Sequence, residues 1–152
     1  MTASNSANSL DLPSSEQPAR EAPRVRLIDV RVQRGPGVRY HVEVHLRTPD
    51  GQDVFGSHED ASSATGDVRI GAEAAIKAIR DALPSAPPFY VAGAKTVRAF
   101  DQTVTLVLIG VTGAEGPARL LGAACNEENI ARAAVLAVLN ATNRVRPPRL
   151  NG

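Results

Sequence analysis

Residues 50–56, Asp-Gly-Gln-Asp-Val-Phe-Gly, and residues 115–122, Glu-Gly-Pro-Ala-Arg-Leu-Leu-Gly, follow one pattern in the two halves of the chain. In each segment a turn dipeptide leads into a short run that ends at a glycine, which predicts a tight turn and then a short strand that stops there. Two alternating runs precede each segment and an alanine-rich run follows it, over residues 24–83 and again over residues 89–143. The sequence therefore predicts an α+β fold of two repeated βββα units, each an antiparallel meander sheet with one helix.

The first half contains the clearest strand pattern of the chain, at residues 38–47, where apolar and polar side chains alternate. A period of two predicts a strand with one buried and one solvent-facing side. Two further strands are predicted at residues 25–33 and 53–58, and the spacing of apolar residues predicts a helix over residues 67–83. The strand at residues 25–33 is expected to point three aliphatic side chains to the same face: Ile28, Val30 and Val32.

The second half is predicted to contain strands at residues 89–100, 103–112 and 118–124 and a helix over residues 127–143. The strand at residues 103–112 is apolar on both faces, which indicates a central position or a second layer against it. The helix is apolar around most of its circumference, so it is expected to be buried on more than one side. A partner subunit is the natural second side in so small a protein, and the sequence therefore predicts a homodimer.

Composition indicates one domain at residues 24–146, between a polar tail at residues 1–23 and a short tail at residues 147–152. The first tail is expected to be disordered, because it has too little apolar surface to offset its ordering entropy. Aromatic residues make up only 3% of the chain, and the formal net charge is +1. These values do not favour nucleic acid as a partner, since many single-strand binders combine aromatic stacking platforms with a basic surface.

Targeting and cofactor signals are lacking in the sequence. No apolar run approaches the roughly 20 residues of a membrane span, and the first residues do not contain the apolar core of a secretory signal. The chain is therefore predicted to be cytoplasmic, without membrane contact. Its single cysteine, Cys125, excludes an intramolecular disulfide, and no cofactor is predicted. The excess of Arg over Lys, with abundant Ala, Gly and Pro, is typical of a bacterial source of high GC content.

The segment at residues 120–134, Leu-Leu-Gly-Ala-Ala-Cys-Asn-Glu-Glu-Asn-Ile-Ala-Arg-Ala-Ala, runs from a hydrophobic strand through a glycine and a polar stretch into a helix of small residues. With the duplicated βββα order, it resembles the C-terminal regulatory domain of the 2-isopropylmalate synthase and citramalate synthase family. The resemblance covers residues 24–143 and implies a dimer-forming, ligand-sensing module. It implies no synthase activity, because the sequence contains no catalytic barrel. Where the family has a Gly-x-Gly-Pro loop, residues 63–68 contain one glycine and no proline.

The starts of the two helices form the candidate ligand site. Ser, Thr, Asp and Asn residues before a helix satisfy its free backbone N–H groups, and the same N–H groups can instead hold a carboxylate or phosphate. Both interpretations, capping and ligand binding, are open from the sequence. For a small carboxylate metabolite, the predicted binding residues are Thr65, Gly66, Asp67, Gly122, Asn126 and Glu127. The leading prediction is a non-catalytic regulatory or ligand-sensing module that dimerises and binds a small metabolite or an enzyme partner.

The first hairpin supports an alternative function. It is rich in arginine, and a basic β-face can bind phosphates. On this alternative the protein binds RNA or assists assembly through Arg31, Arg39 and Arg47. The competing interpretation of the same charges is a solvated strand face.

Candidate catalytic and metal-binding residues are few. His41 and His45 lie on one strand face roughly 13 Å apart, which is too far to share a metal unless a third residue such as His58 approaches one of them. Cys125 is expected to be a buried small side chain rather than a nucleophile. No Ser-His-Asp order, phosphate-binding glycine loop or His-Glu metal motif is present. The sequence therefore predicts neither catalytic residues nor a metal site.

Overall fold

Two antiparallel three-stranded sheets and two helices form the fold, in the predicted order. The structure is a computed structural model that describes residues 24–113, 119–126 and 129–143. The elements are β1 (Arg26–Arg34), β2 (Arg39–Arg47), β3 (Asp53–Ala61), α1 (Gly66–Ala82), β4 (Phe89–Ala99), β5 (Gln102–Val111), β6 (Arg119–Cys125) and α2 (Ile130–Thr142). The sheet orders are β1-β2-β3 and β4-β5-β6. The prediction of an α+β fold with two βββα units is confirmed, and the predicted tails at residues 1–23 and 147–152 lie outside the described residues.

The alternation along β2 builds the core of the first unit. Tyr40, Val42, Val44 and Leu46 are all buried, on the side of the sheet that packs against α1. Val38, which the pattern assigned to the same face, lies in the turn before β2 and is 68% exposed. Burial therefore follows the period of two only where β2 is paired with both neighbours.

A β-bulge in the first strand of each unit changes the direction of the side chains. In β1, Leu27 pairs with Leu46 and Asp29 pairs with His45, so Ile28 is the extra residue and its side chain is exposed. Leu27 packs against the core in its place. The prediction that Ile28 shares a face with Val30 and Val32 is therefore wrong, because a bulge interrupts the alternation. In β4 the register shifts between Val91 and Gly93, at the corresponding place in the repeat.

The repeated glycine lies in the middle of a strand in both units, not at its end. Gly56 is followed by five more residues of β3, which ends at Ala61, and Gly122 lies within β6, which ends at Cys125. A Cβ atom on Gly56 would lie 2.5 Å from the Ala74 carbonyl oxygen, closer than real Cβ atoms come. On Gly122 it would overlap the Ala137 carbonyl group of α2. The glycine therefore allows a helix backbone to approach the sheet, and does not terminate the strand.

The two helices pack against each other between the sheets and so join the two units. α1 contacts β2, β3 and β4, whereas α2 contacts β5, β6 and β1. At their crossing, Gly71 of α1 lies against Ala131 and Ala134 of α2. The second side of α2, which the sequence assigned to a partner subunit, is covered by α1 of the same chain. The apolar circumference of α2 is thus explained within one chain.

Candidate functional site

The start of α1 is closed by its own side chains. The Ser63 hydroxyl accepts the Gly66 N–H at 2.8 Å, and the Asp67 carboxylate accepts the Ser63 N–H at 3.1 Å and the Ser62 hydroxyl at 2.8 Å. This reciprocal pattern is similar to a capping box. Thr65, directly before the helix, makes no capping hydrogen bond. Of the predicted ligand residues, Asp67 is therefore committed to the cap, and the backbone N–H of Gly66 is already bound.

The start of α2 is capped by Asn129, a residue that sequence reasoning did not select. Its side-chain oxygen accepts the Arg132 N–H at 2.8 Å, and its extended backbone is typical of an N-cap. Asn126 instead closes the β5–β6 ladder, because its N–H donates to the Thr103 carbonyl at 2.9 Å and its side chain accepts the buried Thr105 hydroxyl. The predicted helix start at Glu127 is therefore wrong, because α2 begins at Ile130.

Of the two remaining predicted ligand residues, Gly122 does not add a polar group to a site at the helix start. Gly122 is buried beneath α2, where its Cα faces the helix backbone. Glu127 lies outside the described residues. The two helix starts thus contain capping arrangements made within the chain, by Ser62, Ser63 and Asp67 at α1 and by Asn129 at α2. These bonds support the capping interpretation of the polar residues.

We expect Asn129→Ala to lower the free energy of unfolding by about 1 kcal/mol, because it removes the oxygen that accepts the Arg132 N–H. Urea denaturation of the purified protein measures this loss. Thr65→Ala is the control, since Thr65 makes no capping bond, and its effect should stay within about 0.5 kcal/mol. Equal losses in the two variants would contradict the assignment of Asn129 as the cap.

Each of the three arginines in the alternative nucleic-acid surface is paired with a carboxylate of the same sheet. Arg31 Nε lies 3.3 Å from Asp29, Arg39 Nε lies 3.3 Å from Glu59, and Arg47 Nε lies 3.0 Å from Asp53. All three pairs are solvent-exposed, so they add little stability. They do balance the positive charge of the outer face, which is therefore mixed in sign and does not favour phosphate binding.

A histidine and a phenylalanine stack on this outer face. The rings of His45 and Phe55 lie 4.4 Å apart, and His45 Nε2 lies 3.0 Å from Asp53 Oδ1, although without a hydrogen bond of regular geometry. His45 and the Arg47 guanidinium hold the pKa of Asp53 below its usual value. Next to the stack is a shallow depression of about 250 Å³ whose lining also includes Glu43. The depression is open to solvent, and it is lined by side chains of both charge signs.

Within residues 24–113, 119–126 and 129–143, no three His, Cys, Asp or Glu side chains are placed to hold a metal ion. His58 lies 3.0 Å from the Lys77 Nζ atom rather than beside another histidine. Cys125 is exposed, opposite Val104, so the expectation that it is buried is wrong. No helix in the same described ranges is long and apolar enough to cross a membrane.

The two units differ most in the outer faces of their sheets. β5 is the central strand, and its inner residues Thr105, Val107 and Ile109 are buried. The alternate side chains point away from both helices and lie beside apolar neighbours on β4 and β6. We call this surface the apolar face; it consists of Tyr90, Val97, Val104, Leu106, Leu108, Leu121, Ala123 and Cys125. The charged side chains of Lys95 and Arg119 lie on the same outer side and border the apolar face.

The Tyr90 ring extends across the apolar face. A Cβ atom on Gly110 would lie 2.1 Å from Tyr90 Cζ and 2.5 Å from its hydroxyl oxygen, so the absence of a side chain at Gly110 lets the tyrosine ring pack against β5. Leu121 is 52% exposed and Tyr90 is 48% exposed. Large apolar side chains are thus presented to solvent side by side, which is the pattern of an interaction surface rather than of isolated surface residues.

A small apolar cleft lies where the two units join. Its volume is about 130 Å³, and Arg80 lies at its rim. We call it the joint cleft; its walls include Ile76, Leu83, Ala86, Pro87 and Phe89. The joint cleft does not bring together the polar side chains that a catalytic site requires.

No protein-family model matches this chain, and no curated protein is significantly similar to it.

Proposed function

We propose that this protein is a non-catalytic module that forms a homodimer through the apolar face and acts as a regulatory or assembly unit in that form. The observation that carries the proposal is the difference between the outer faces of two otherwise repeated sheets. The first presents paired charges, whereas the second presents contiguous aliphatic side chains with few charges. The resemblance to a dimer-forming regulatory domain supports the same function.

A second copy of this chain is the partner that the apolar face fits. Packed sheets lie about 10 Å apart and need aliphatic side chains on both inner faces. A two-fold axis places the same residues on both sides, so one apolar face supplies both halves of the contact. The outer face of β1-β2-β3 cannot serve as the complement, because burying its ion pairs against Leu106 or Leu121 would leave charges without water.

The apolar face is smaller than a standard protein–protein interface. Three strands at a spacing of about 4.8 Å, about 23–36 Å long, cover roughly 440 Å² in projection. A standard interface buries about 800 Å² on each partner. The apolar face therefore provides about half of the area in projection, and the dimer requires further contacts at its margins.

We expect wild-type protein to sediment as a dimer and Leu121→Asp to raise the dissociation constant by about a hundredfold or more, because two carboxylates would be buried without partners. Sedimentation equilibrium over a concentration series measures this. Phe55→Asp is a matched control: Phe55 also precedes the repeated glycine and is 53% exposed, but it lies on the charged outer face. Its dimer should be unchanged.

The single thiol of the chain reports the same contact without an introduced probe. Cys125 belongs to the apolar face, so its reaction with a water-soluble disulfide reagent should slow as protein concentration rises in the wild type and in Phe55→Asp. In Leu121→Asp the rate should not depend on concentration. A wild-type protein that is monomeric at every concentration tested would refute the proposed function.

A further inference from the structure

The joint cleft is held in shape by the connection between α1 and β4, at residues 83–88. The Ala86 N–H donates to the Leu83 carbonyl at 3.0 Å, and the Thr112 N–H donates to the Pro88 carbonyl at 2.9 Å. Three of the six residues in this connection are prolines, whose rings fix the backbone angle φ. The cavity is therefore already formed in the folded chain, and a ligand would lose little free energy to ordering its walls.

The size and walls of the joint cleft suit a small hydrocarbon group. Its volume is about 130 Å³, and its deepest walls are the buried side chains of Ile76, Ile79 and Phe89. A protein cavity of about 150 Å³ lined by similar side chains binds benzene, so the joint cleft has room for about five or six carbon atoms. A branched or cyclic hydrocarbon group of that size would exchange water for apolar contacts on most of its surface.

Arg80 gives the rim of the joint cleft a positive charge. It lies in the last turn of α1 and is exposed, and within residues 24–113, 119–126 and 129–143 it forms no ion pair, in contrast to Arg31, Arg39 and Arg47. A cation at this position complements the helix dipole, but the dipole does not account for the apolar cavity beside it. The rim therefore offers a guanidinium whose hydrogen-bond donors are available to an anion.

We propose that the joint cleft binds a small apolar monocarboxylate, with its hydrocarbon group in the cavity and its carboxylate on the Arg80 guanidinium. A guanidinium and a carboxylate match in geometry and form charge-assisted hydrogen bonds. An α-amino acid with the same hydrocarbon group fits less well, because its ammonium would lie beside Arg80. Among the described residues that line the cleft, none is acidic and could receive that ammonium.

This inference goes beyond the proposed homodimer and does not depend on it. Phe89 is buried on the helix side of β4, whereas the next residue, Tyr90, belongs to the apolar face. The joint cleft and the apolar face therefore lie on opposite sides of the second sheet, and covering one leaves the other accessible. A ligand in the cleft would contact the last helix of the first unit and the first strand of the second, so its binding would stabilise the joint between them.

Titration of the full chain with 4-methylpentanoate, followed by NMR of labelled phenylalanine rings, tests the inference. We expect a dissociation constant of about 1 mM, which is ordinary for so small a ligand. The Phe89 ring signals should shift, whereas those of the other two phenylalanines, Phe55 and Phe100, should not. Two ligands with the same branched hydrocarbon group, the neutral 4-methylpentanamide and the zwitterion L-leucine, should each bind about tenfold more weakly.

Two substitutions separate the charge at the rim from the cavity. Arg80→Gln should weaken binding of 4-methylpentanoate by about tenfold and leave binding of 4-methylpentanamide unchanged. Lys77→Gln is the matched control, because it removes the same charge from an exposed position of the same helix that does not line the cleft. Ala86→Leu, which fills the cavity, should abolish binding of both ligands, and its melting temperature without ligand shows whether the chain is still folded.

The outcomes separate this inference from the proposed function. If 4-methylpentanoate leaves the Phe89 signals unchanged, or if a folded Ala86→Leu variant still binds it, the joint cleft is not its site. If Arg80→Gln and Lys77→Gln weaken binding equally, or if L-leucine binds as tightly as 4-methylpentanoate, the assigned ligand class is wrong. A protein that binds the carboxylate but is monomeric would contradict the homodimer alone, and a dimer that does not bind it would contradict the ligand site alone.

Discussion

Replacement of Gly122 with alanine is expected to lower the free energy of unfolding by about 3 kcal/mol or more, a large fraction of the total stability of an ordinary domain. The added Cβ would lie 2.7 Å from the Ala137 carbonyl carbon and still closer to its oxygen. The obstacle is helix backbone, which cannot rotate away as a flexible side chain does. Either α2 moves off the sheet and opens the core, or β6 is displaced from β5. Urea denaturation followed by circular dichroism measures the loss.

Gly56→Ala should have an effect of the same size, since Ala74 and Ala78 of α1 approach Gly56 as Ala137 and Ala141 of α2 approach Gly122. The control is Gly93→Ala, also within a strand, where the nearest heavy atom to a new Cβ is Leu108 Cβ at 3.9 Å. That variant should stay within about 0.5 kcal/mol of wild type. A tolerated Gly122→Ala would mean that the helix lies farther from the sheet than the structure shows.

Gly71→Leu is expected to cost about 3 kcal/mol, although leucine is a better helix former than glycine. A Cβ on Gly71 would lie 3.1 Å from both the Cα and the carbonyl oxygen of Ala131, and the rest of the leucine has no space between α1 and α2. Because this crossing joins the two units, the variant should unfold in a broader transition than wild type. Differential scanning calorimetry measures both the shift and the breadth.

Glu73→Leu provides the comparison for Gly71→Leu, since Glu73 lies on the same helix and is only partly buried. It should change stability by less than about 1 kcal/mol. If Gly71→Leu proved equally mild, the two helices would not be in close contact, and the apolar circumference of α2 would again require a partner subunit. The experiment therefore tests whether α1 covers α2 within one chain.

The candidate site was only partly predictable from the sequence. The capping interpretation of Asp67 followed from residue type near a predicted helix start, and the structure agrees with it. For α2 the same reasoning selected Asn126 and Glu127, because the four polar residues at positions 126–129 look alike before a helix. Asn129 caps the helix because Asn126 is held by β5 through Thr103 and Thr105. No local pattern distinguishes these two asparagines.

The sequence indicated that β5 is apolar on both sides, but it did not indicate which side the helices cover. Apolar residues on both sides of β5 predicted a central strand or a second layer. The strand is central, since β4 and β6 flank it, and both helices lie on its inner side. Within the described residues its outer side is therefore left uncovered, because α1 and α2 pack on the inner side. The dimer surface proposed from it differs from the surface of α2 that sequence reasoning suggested.

The sequence by itself determined the duplicated order of strands and helices, the α+β class and the buried side of β2. These properties depend on periodicity between neighbouring residues, which the chain displays without folding. Only the tertiary structure decided that Ile28 points outward, that the repeated glycine admits a helix backbone, and that α1 covers α2. Each of these depends on contacts between residues far apart in the chain, where packing of one element against another overrides local preference.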